Sequence, residues 1–120
     1  MTAGLIVKPF IVAVGGHGEW TYYTRTRGHA LAKAWRDFAE CRDVTFGQFL
    51  AQSNAYSGVG SDRFGEPLTI CGEPAFYIRH DSQYIHFVRP DSDVILCSHP
   101  LDVEPPEARR GTPYYQEQPR

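Results

Sequence analysis

The sequence contains little cysteine. Its three cysteines, Cys41, Cys71 and Cys97, are widely spaced in 120 residues, and none lies in a C-x-x-C pair. An odd number of distant cysteines argues against a disulfide framework and lacks the usual spacing of zinc ligands. Free cysteines most often pack as small apolar side chains. We therefore expect a reducing compartment, and neither a metal nor another cofactor.

Long apolar runs are also missing. The most apolar stretch, within residues 1–16, is interrupted by Lys8 and Pro9 and is too short to cross a bilayer. No basic segment precedes it, so a secretory signal is not expected. These features predict a soluble cytoplasmic protein with no membrane partner.

Charge of one sign is lacking as well. Twelve Lys and Arg against fourteen Asp and Glu give a formal net charge of -2. Because no strong field attracts phosphates, nucleic acid is not expected as a partner. The length and the apolar content of 42% suit one folded domain. We predict a single domain over residues 1–103 and a flexible C-terminal tail over residues 104–120, which are rich in proline and charge.

The standard motifs of nucleotide binding and catalysis do not occur. Neither G-x-x-x-x-G-K-[ST] nor G-x-G-x-x-G is present, and the five histidines show no metal-ligand spacing. A cysteine nucleophile would need a nearby base, and spacing alone does not bring His80 or His99 to one. We assign no catalytic residue and expect a protein that is not an enzyme.

What the sequence does contain is strand and helix patterning. Two β-rich runs flank the turn "GGHG" at residues 15–18, which predicts a hairpin with Val12 opposite Thr21. An amphipathic helix follows, with Thr26 as its N-cap. Its predicted buried side chains are Leu31, Ala34, Trp35 and Phe38.

A second helix is predicted from the capping-box pattern T-x-x-Q at Thr45 and Gln48. Phe46, Phe49 and Leu50 would form its buried side. Residues 52–66 are rich in Ser, Gly, Asn and Asp and are predicted to form a long loop, which makes them a candidate for function.

Residues 67–100 show four β-rich runs separated by turns, which predicts an antiparallel meander. A register with His80 opposite Gln83 gathers one wholly apolar face, and a one-residue slip would expose it. The predicted fold class is therefore α+β: an antiparallel β-sheet, made of an N-terminal hairpin and a four-stranded C-terminal meander, with two helices packed on one face. The apolar face is predicted to contain Ile70, Phe76, Ile78, Ile85, Phe87, Ile95 and Cys97.

The opposite face of the meander is the first candidate site. In the same register it carries Tyr77, Arg79, Tyr84 and His86, and Tyr and Arg are enriched at interface hot spots. We predict that these four residues, with the loop at 52–66, bind a partner. Burial under that loop or in a homodimer stays open as an alternative.

The start of the first helix is the second candidate site. Arg25, Arg27, Gly28 and His29 surround a helix N-terminus, where free N–H groups favour an anion such as phosphate. The alternative is that these arginines lie on a solvated surface and pair with nearby carboxylates.

The segments "TRTRGHALAKAWRDF", "DVTFGQFL" and "FVRPDSDVILCSHPLDV" resemble small uncharacterised proteins encoded by bacteriophages and prophages. The resemblance covers residues 18–103 and implies a phage accessory protein that binds a host bacterial protein. Inhibitors of antiviral defence, such as anti-CRISPR proteins, are of this kind. The alternative function is a small-ligand protein that binds a nucleotide or another phosphate-bearing molecule.

Overall fold

The fold combines antiparallel sheets with α-helices, which confirms the predicted α+β class. It is seen in a computed structural model that describes residues 4–115. The chain divides into two units. The first is Ile6–Gly60, and the second comprises the described residues before and after it. The sequence predicts a single domain over residues 1–103, and that remains a prediction.

The first unit contains a three-stranded sheet. Its strands are β1 (Lys8–Val14), β2 (Gly18–Thr24) and β3 (Ser53–Ser57), in the order β2-β1-β3. The predicted hairpin is present, but Val12 lies opposite Trp20 instead of Thr21. The register therefore differs from the prediction by one residue.

The hairpin turn explains this slip. Val14 pairs with Gly18, which leaves a three-residue loop, and the His17 N–H donates to the Val14 carbonyl at 2.9 Å. Gly16 and Gly18 both have positive φ, at 77° and 121°. Glycine adopts this conformation without steric cost, so the loop closes with three residues, 15–17, instead of the four of the predicted turn, and the register moves by one residue.

The strand β3 replaces the first part of the loop predicted at residues 52–66, and that part of the prediction is wrong. Ala55 is buried against the helices, while its neighbours Asn54 and Tyr56 are exposed. The strand thus contributes a single small apolar side chain to the core. Its serine and asparagine are typical of loops, so composition gives no strand signal here.

The helix α1 (Arg27–Ala39) begins as predicted. The Thr26 hydroxyl accepts a hydrogen bond from the His29 N–H at 3.2 Å, which confirms Thr26 as the N-cap. Trp35 is half-buried, and its indole N–H donates to the Val44 carbonyl at 3.0 Å. The buried side chains of the helix are Ala30, Leu31, Ala34 and Phe38.

The helix α2 (Phe46–Ala51) has the predicted capping box, in which Thr45 and Gln48 satisfy each other's backbone N–H groups. Its buried side differs from the prediction. Only Phe49 is fully buried, whereas Phe46 and Leu50 are 38% and 42% exposed. A helix of six residues has fewer than two turns, so one residue reaches the core.

The second unit contains a five-stranded sheet. Its strands are β4 (Pro67–Ile70), β5 (Glu73–His80), β6 (Ile85–Val88), β7 (Leu96–Ser98) and β8 (Val103–Glu104). They follow the order β7-β6-β5-β4-β8, with all neighbours antiparallel. The four predicted strands are present, and β8 adds a fifth.

The register of the meander is not the predicted one. Tyr77 lies opposite Phe87, and His80 lies opposite Ile85, with an irregularity at Ile78 between them. This β-bulge adds one residue to β5, so Tyr77 and Ile78 are both buried in succession. Alternation along the strand changes there, and the predicted single apolar face no longer holds.

Each sheet has its own core cluster. Both helices belong to the first, where α1 packs on β1, β2 and β3. The hairpin and the meander lie in two separate sheets, so the prediction that they share one sheet is wrong. The core of the second unit comes from four of its strands, β4, β5, β6 and β8, and from Ala108, which lies in the 3₁₀ helix Pro106–Arg109. Its members are Leu68, Ile70, Ala75, Tyr77, Ile85, Phe87, Val103 and Ala108.

The first part of the predicted tail is folded in this structure. Val103 and Glu104 form β8, and Ala108 and Thr112 are buried at 1% and 7% exposure. Arg63 holds this segment, since its guanidinium donates to the carbonyls of Ala108 and Arg110 at 2.6 and 3.0 Å. The rest of the predicted tail, residues 116–120, lies outside the described residues.

The burial of α2 gives a test of this core. Phe49→Ala should lower the free energy of unfolding by about 3–5 kcal/mol, because it removes a fully buried ring whose centroid lies 5.6 Å from that of the Phe38 ring. Leu50→Ala, on the exposed side, should change it by less than about 0.5 kcal/mol. Urea unfolding followed by circular dichroism measures both. Equal losses would show that the burial of this helix is assigned incorrectly.

Candidate functional site

One of the four residues predicted to form the partner-binding face is buried. Tyr77 is 2% exposed, and it packs in the core with the Arg63 guanidinium 4.3 Å above its ring. The prediction that Tyr77 lines an exposed face is therefore wrong. The bulge at Ile78 is the reason, because it turns Tyr77 and Phe87 to the same buried side.

The other three residues surround the turn between β5 and β6. Arg79 is exposed and lies opposite His86, and Tyr84 is 43% exposed. Asp81 organises this turn. One carboxylate oxygen accepts the backbone N–H groups of Gln83 and Tyr84, both at 2.8 Å, and the other accepts His86 Nε2 at 2.9 Å. The structure thus keeps Arg79 and Tyr84 at the surface beside a fixed turn.

These contacts change the acidity of Asp81. The hydrogen bond from His86 lowers the pKa of the Asp81 carboxyl most, and the bonds from the two backbone N–H groups lower it further. The carboxylate form therefore persists to unusually low pH. Because Asp81 is exposed, this is a property of the turn and not of a buried ion pair.

Cys97 lies on the same side of the sheet as His86. The two residues are cross-strand partners, and Cys97 is exposed, so its predicted place in the core is wrong. Cys41 and Cys71 are exposed too. His80, which was considered as a base for a cysteine, is engaged elsewhere: its Nδ1 is hydrogen-bonded to the Tyr77 hydroxyl, and burial and then Arg63 lower its pKa.

The strand β7 forms one edge of the five-stranded sheet. Leu96 in this strand is 44% exposed, and Val94 just before it is 55% exposed. We call the segment 94–98 the β7 edge. An edge strand presents backbone N–H and C=O groups that no neighbouring strand pairs, and exposed apolar side chains on it favour association.

The predicted anion site is partly occupied by the fold itself. Arg27 Nε donates to the Ala55 carbonyl at 2.6 Å, which ties the start of α1 to β3. The Thr26 hydroxyl already accepts the His29 N–H. Arg25 and Gly28 are exposed at the surface beside them. Anion binding by Arg25, Arg27, Gly28 and His29 stays a prediction, with Arg27 committed to a structural hydrogen bond.

A pocket in the first unit was not predicted. It has a volume of about 280 Å³ and lies between β2 and the C-terminal half of α1. Trp20, Tyr22, Asp37 and Arg42 are among the residues that line it. Two aromatic residues two positions apart on β2 were a usable signal, since both point to the same side of a strand.

The described residues contain neither a cluster of metal-ligand side chains nor a helix that could span a membrane. Within residues 4–115, no three His, Cys, Asp or Glu side chains come together as a metal site. No helix in that range is long and apolar enough to span a bilayer.

No protein-family model, curated protein or solved structure matches this chain. The features of the molecule that bear on its function are the β7 edge, with the neighbouring turn, and the pocket.

The Asp81 turn predicts a particular pH dependence. A carboxyl whose folded-state pKa lies below its ordinary value of 3.8 stabilises the fold above that pH. This contribution is lost as the pH falls through the lowered folded-state pKa. Asp81→Asn should therefore unfold at a lower temperature than the wild type at pH 7, and the difference should shrink below about pH 4.

Thermal melts at pH 7, 5, 3 and 2 measure this difference. Ser82→Ala is the control, because it changes an exposed side chain of the same turn that does not titrate in this range. Its difference from the wild type should not vary with pH. An Asp81→Asn difference that stays constant from pH 7 to pH 2 would contradict the assigned role of the carboxylate.

Proposed function

We propose that this protein acts by binding another protein along the β7 edge, with Arg79 and Tyr84 contributing beside it. The observation that carries the proposal is the β7 edge itself, which combines an outermost strand with exposed Val94 and Leu96. Folded proteins usually protect such edges with charge, proline or a covering element. None of residues 94–98 is charged or proline.

Strand addition is the binding mode that fits this edge. An extended segment of the partner would pair with the backbone of β7, and alternate side chains of that segment would meet Leu96 and its neighbours. Backbone hydrogen bonds supply affinity in this mode, while side-chain contacts supply specificity. The strand is short, with three residues, so further contacts are needed.

The turn between β5 and β6 supplies those contacts. Tyr84 directly precedes β6, the strand that neighbours β7, and Arg79 lies opposite His86 in the same sheet. Tyrosine and arginine are the residue types that dominate binding energy at interfaces. Because Asp81 fixes the turn, little side-chain and backbone freedom is lost when a partner docks.

The resemblance to phage-encoded proteins supports a host bacterial protein as this partner. In that setting the protein is a non-enzymatic, stoichiometric inhibitor in the bacterial cytoplasm. A component of antiviral defence, such as a CRISPR effector, is the partner class we put forward. A second copy of this chain is the competing occupant, since two antiparallel edges can pair with each other.

Leu96→Lys tests the binding surface. A lysine on the edge opposes strand addition, so we expect the tagged variant to retain at least tenfold less of the host protein that the wild type retains from bacterial lysate. Leu50→Lys is the matched control, because Leu50 is 42% exposed but lies on α2. Quantitative mass spectrometry of the eluates measures retention.

Arg79→Ala combined with Tyr84→Ala should also abolish retention. Loss of retention in Leu50→Lys as well would place the binding surface elsewhere, and so would normal retention in both Leu96→Lys and the Arg79→Ala, Tyr84→Ala double variant.

Light scattering of the purified protein tests whether a second copy occupies the edge instead. In that case the wild type would be a dimer, and Leu96→Lys would convert it to a monomer. Restored plating of a targeted phage on a CRISPR-bearing host would support the defence assignment, and unchanged plating would remove it.

A further inference from the structure

The pocket of the first unit has a floor of small and aromatic side chains. Ala34 and Phe38 lie one turn apart on α1 and are buried, and Val14 at the end of β1 is buried beside them. Ala34 leaves space that a larger side chain would fill. The cavity of about 280 Å³ is small by the standard of drug-sized sites, so it suits a ligand of one or two rings.

Aromatic groups form the walls. Trp20 is 46% exposed although it points to the helix-covered side of the sheet, where its cross-strand partner Val12 is fully buried. The His17 ring meets Phe38 edge-on, with centroids 4.9 Å apart. A large exposed indole at the mouth of a cavity offers a flat apolar surface on which a planar ring can stack.

An oriented acceptor lies at the rim. The Tyr22 hydroxyl donates to Asp37 Oδ2 at 2.7 Å. Burial and then the Asp37 contact raise the pKa of Tyr22, so the phenol keeps its proton at neutral pH. Tyr22 therefore holds the carboxylate in place through one oxygen. The other oxygen of Asp37, Oδ1, accepts no hydrogen bond from the described residues and is available to a ligand N–H.

An oriented donor lies at the same pocket. The Arg42 guanidinium lies 4.3 Å from the centre of the Phe38 ring, and its Nη1 donates to the Phe38 carbonyl at 3.3 Å. These two contacts hold the side chain against the cavity wall. Its other N–H groups donate to none of the described residues, and a planar guanidinium presents them as a fork to an acceptor.

We propose that this pocket binds a planar nitrogen heterocycle of the nucleobase class. One edge of the ring would donate N–H groups to Asp37, an acceptor atom would receive Arg42, and the ring face would stack on Trp20. Guanine has this arrangement, with adjacent N–H donors on one edge and the O6 and N7 acceptors on another. The site is independent of the β7 edge and goes beyond the function proposed above.

A free amino acid fits the same groups less well. Its ammonium group carries three donors, and the described side chains around the pocket supply one carboxylate, Asp37, to accept them. A heterocycle edge with one or two N–H groups is fully satisfied by that carboxylate. Leaving a donor unpaired in a partly enclosed site costs binding energy, which favours the heterocycle.

Titration of the ¹⁵N-labelled full chain with guanosine tests the proposal by NMR. The Trp20 indole resonance should shift and saturate. Trp35 is an internal control, because its indole N–H already donates to the Val44 carbonyl and it is not among the pocket residues. Adenosine, cytidine and tryptophan amide serve as comparison probes. No saturable shift of Trp20 with any nucleoside at millimolar concentration would overturn the proposal, and so would tighter binding of tryptophan amide.

Calorimetry of variants then assigns the groups. Trp20→Ala should weaken guanosine binding at least fivefold, and Asp37→Asn and Arg42→Gln at least tenfold each. Asp43→Asn and Arg36→Gln make the same chemical changes at exposed positions and should stay within twofold of the wild type. Trp20 is half-exposed, so its variant tests the site even if the loss of Asp37 disturbs folding. Unchanged affinity in Trp20→Ala would place the ligand elsewhere.

Discussion

One extra residue in β5 decides which side chains of the five-stranded sheet reach the solvent. The bulge at Ile78 lets Tyr77 face the core beside Phe87 and leaves Arg79 outside, opposite His86. The turn that Asp81 organises follows directly and fixes the position of Tyr84. Burial of the core and presentation of the candidate interface therefore depend on the same local irregularity of the backbone.

The parts of the fold that were predicted correctly are those encoded in local sequence. Thr26 and the Thr45–Gln48 pair satisfy helix ends through neighbours three residues away, so a short pattern suffices. Strand registers were wrong by one residue or more because they depend on loop length and on the bulge. Nothing in the alternation of side chains distinguishes a bulged strand from a regular one. β3 was missed because a single alanine represents it in the core.

The same distinction separates the two candidate sites. Arg79 and Tyr84 flank a turn whose aspartate is evident in the sequence, so their exposure could be predicted. The pocket depends on which residues of β2 face α1, and the hairpin register determines this. With Trp20 opposite Val12, the indole lines the same pocket as Asp37 and as Phe38, which the helix pattern assigns to the core. Such a site becomes visible only when strand and helix are seen together.

Gly111 shows how narrowly the C-terminal segment is accommodated. Its φ of 89° suits glycine, and a Cβ at this position would lie 2.5 Å from Nε2 of His80. Backbone conformation and space thus each favour glycine over every other amino acid at this position. In any relative that packs this segment against the same histidine, glycine should face the residue that corresponds to His80. That pairing gives a signature by which distant members of such a family could be recognised when overall sequence similarity has disappeared.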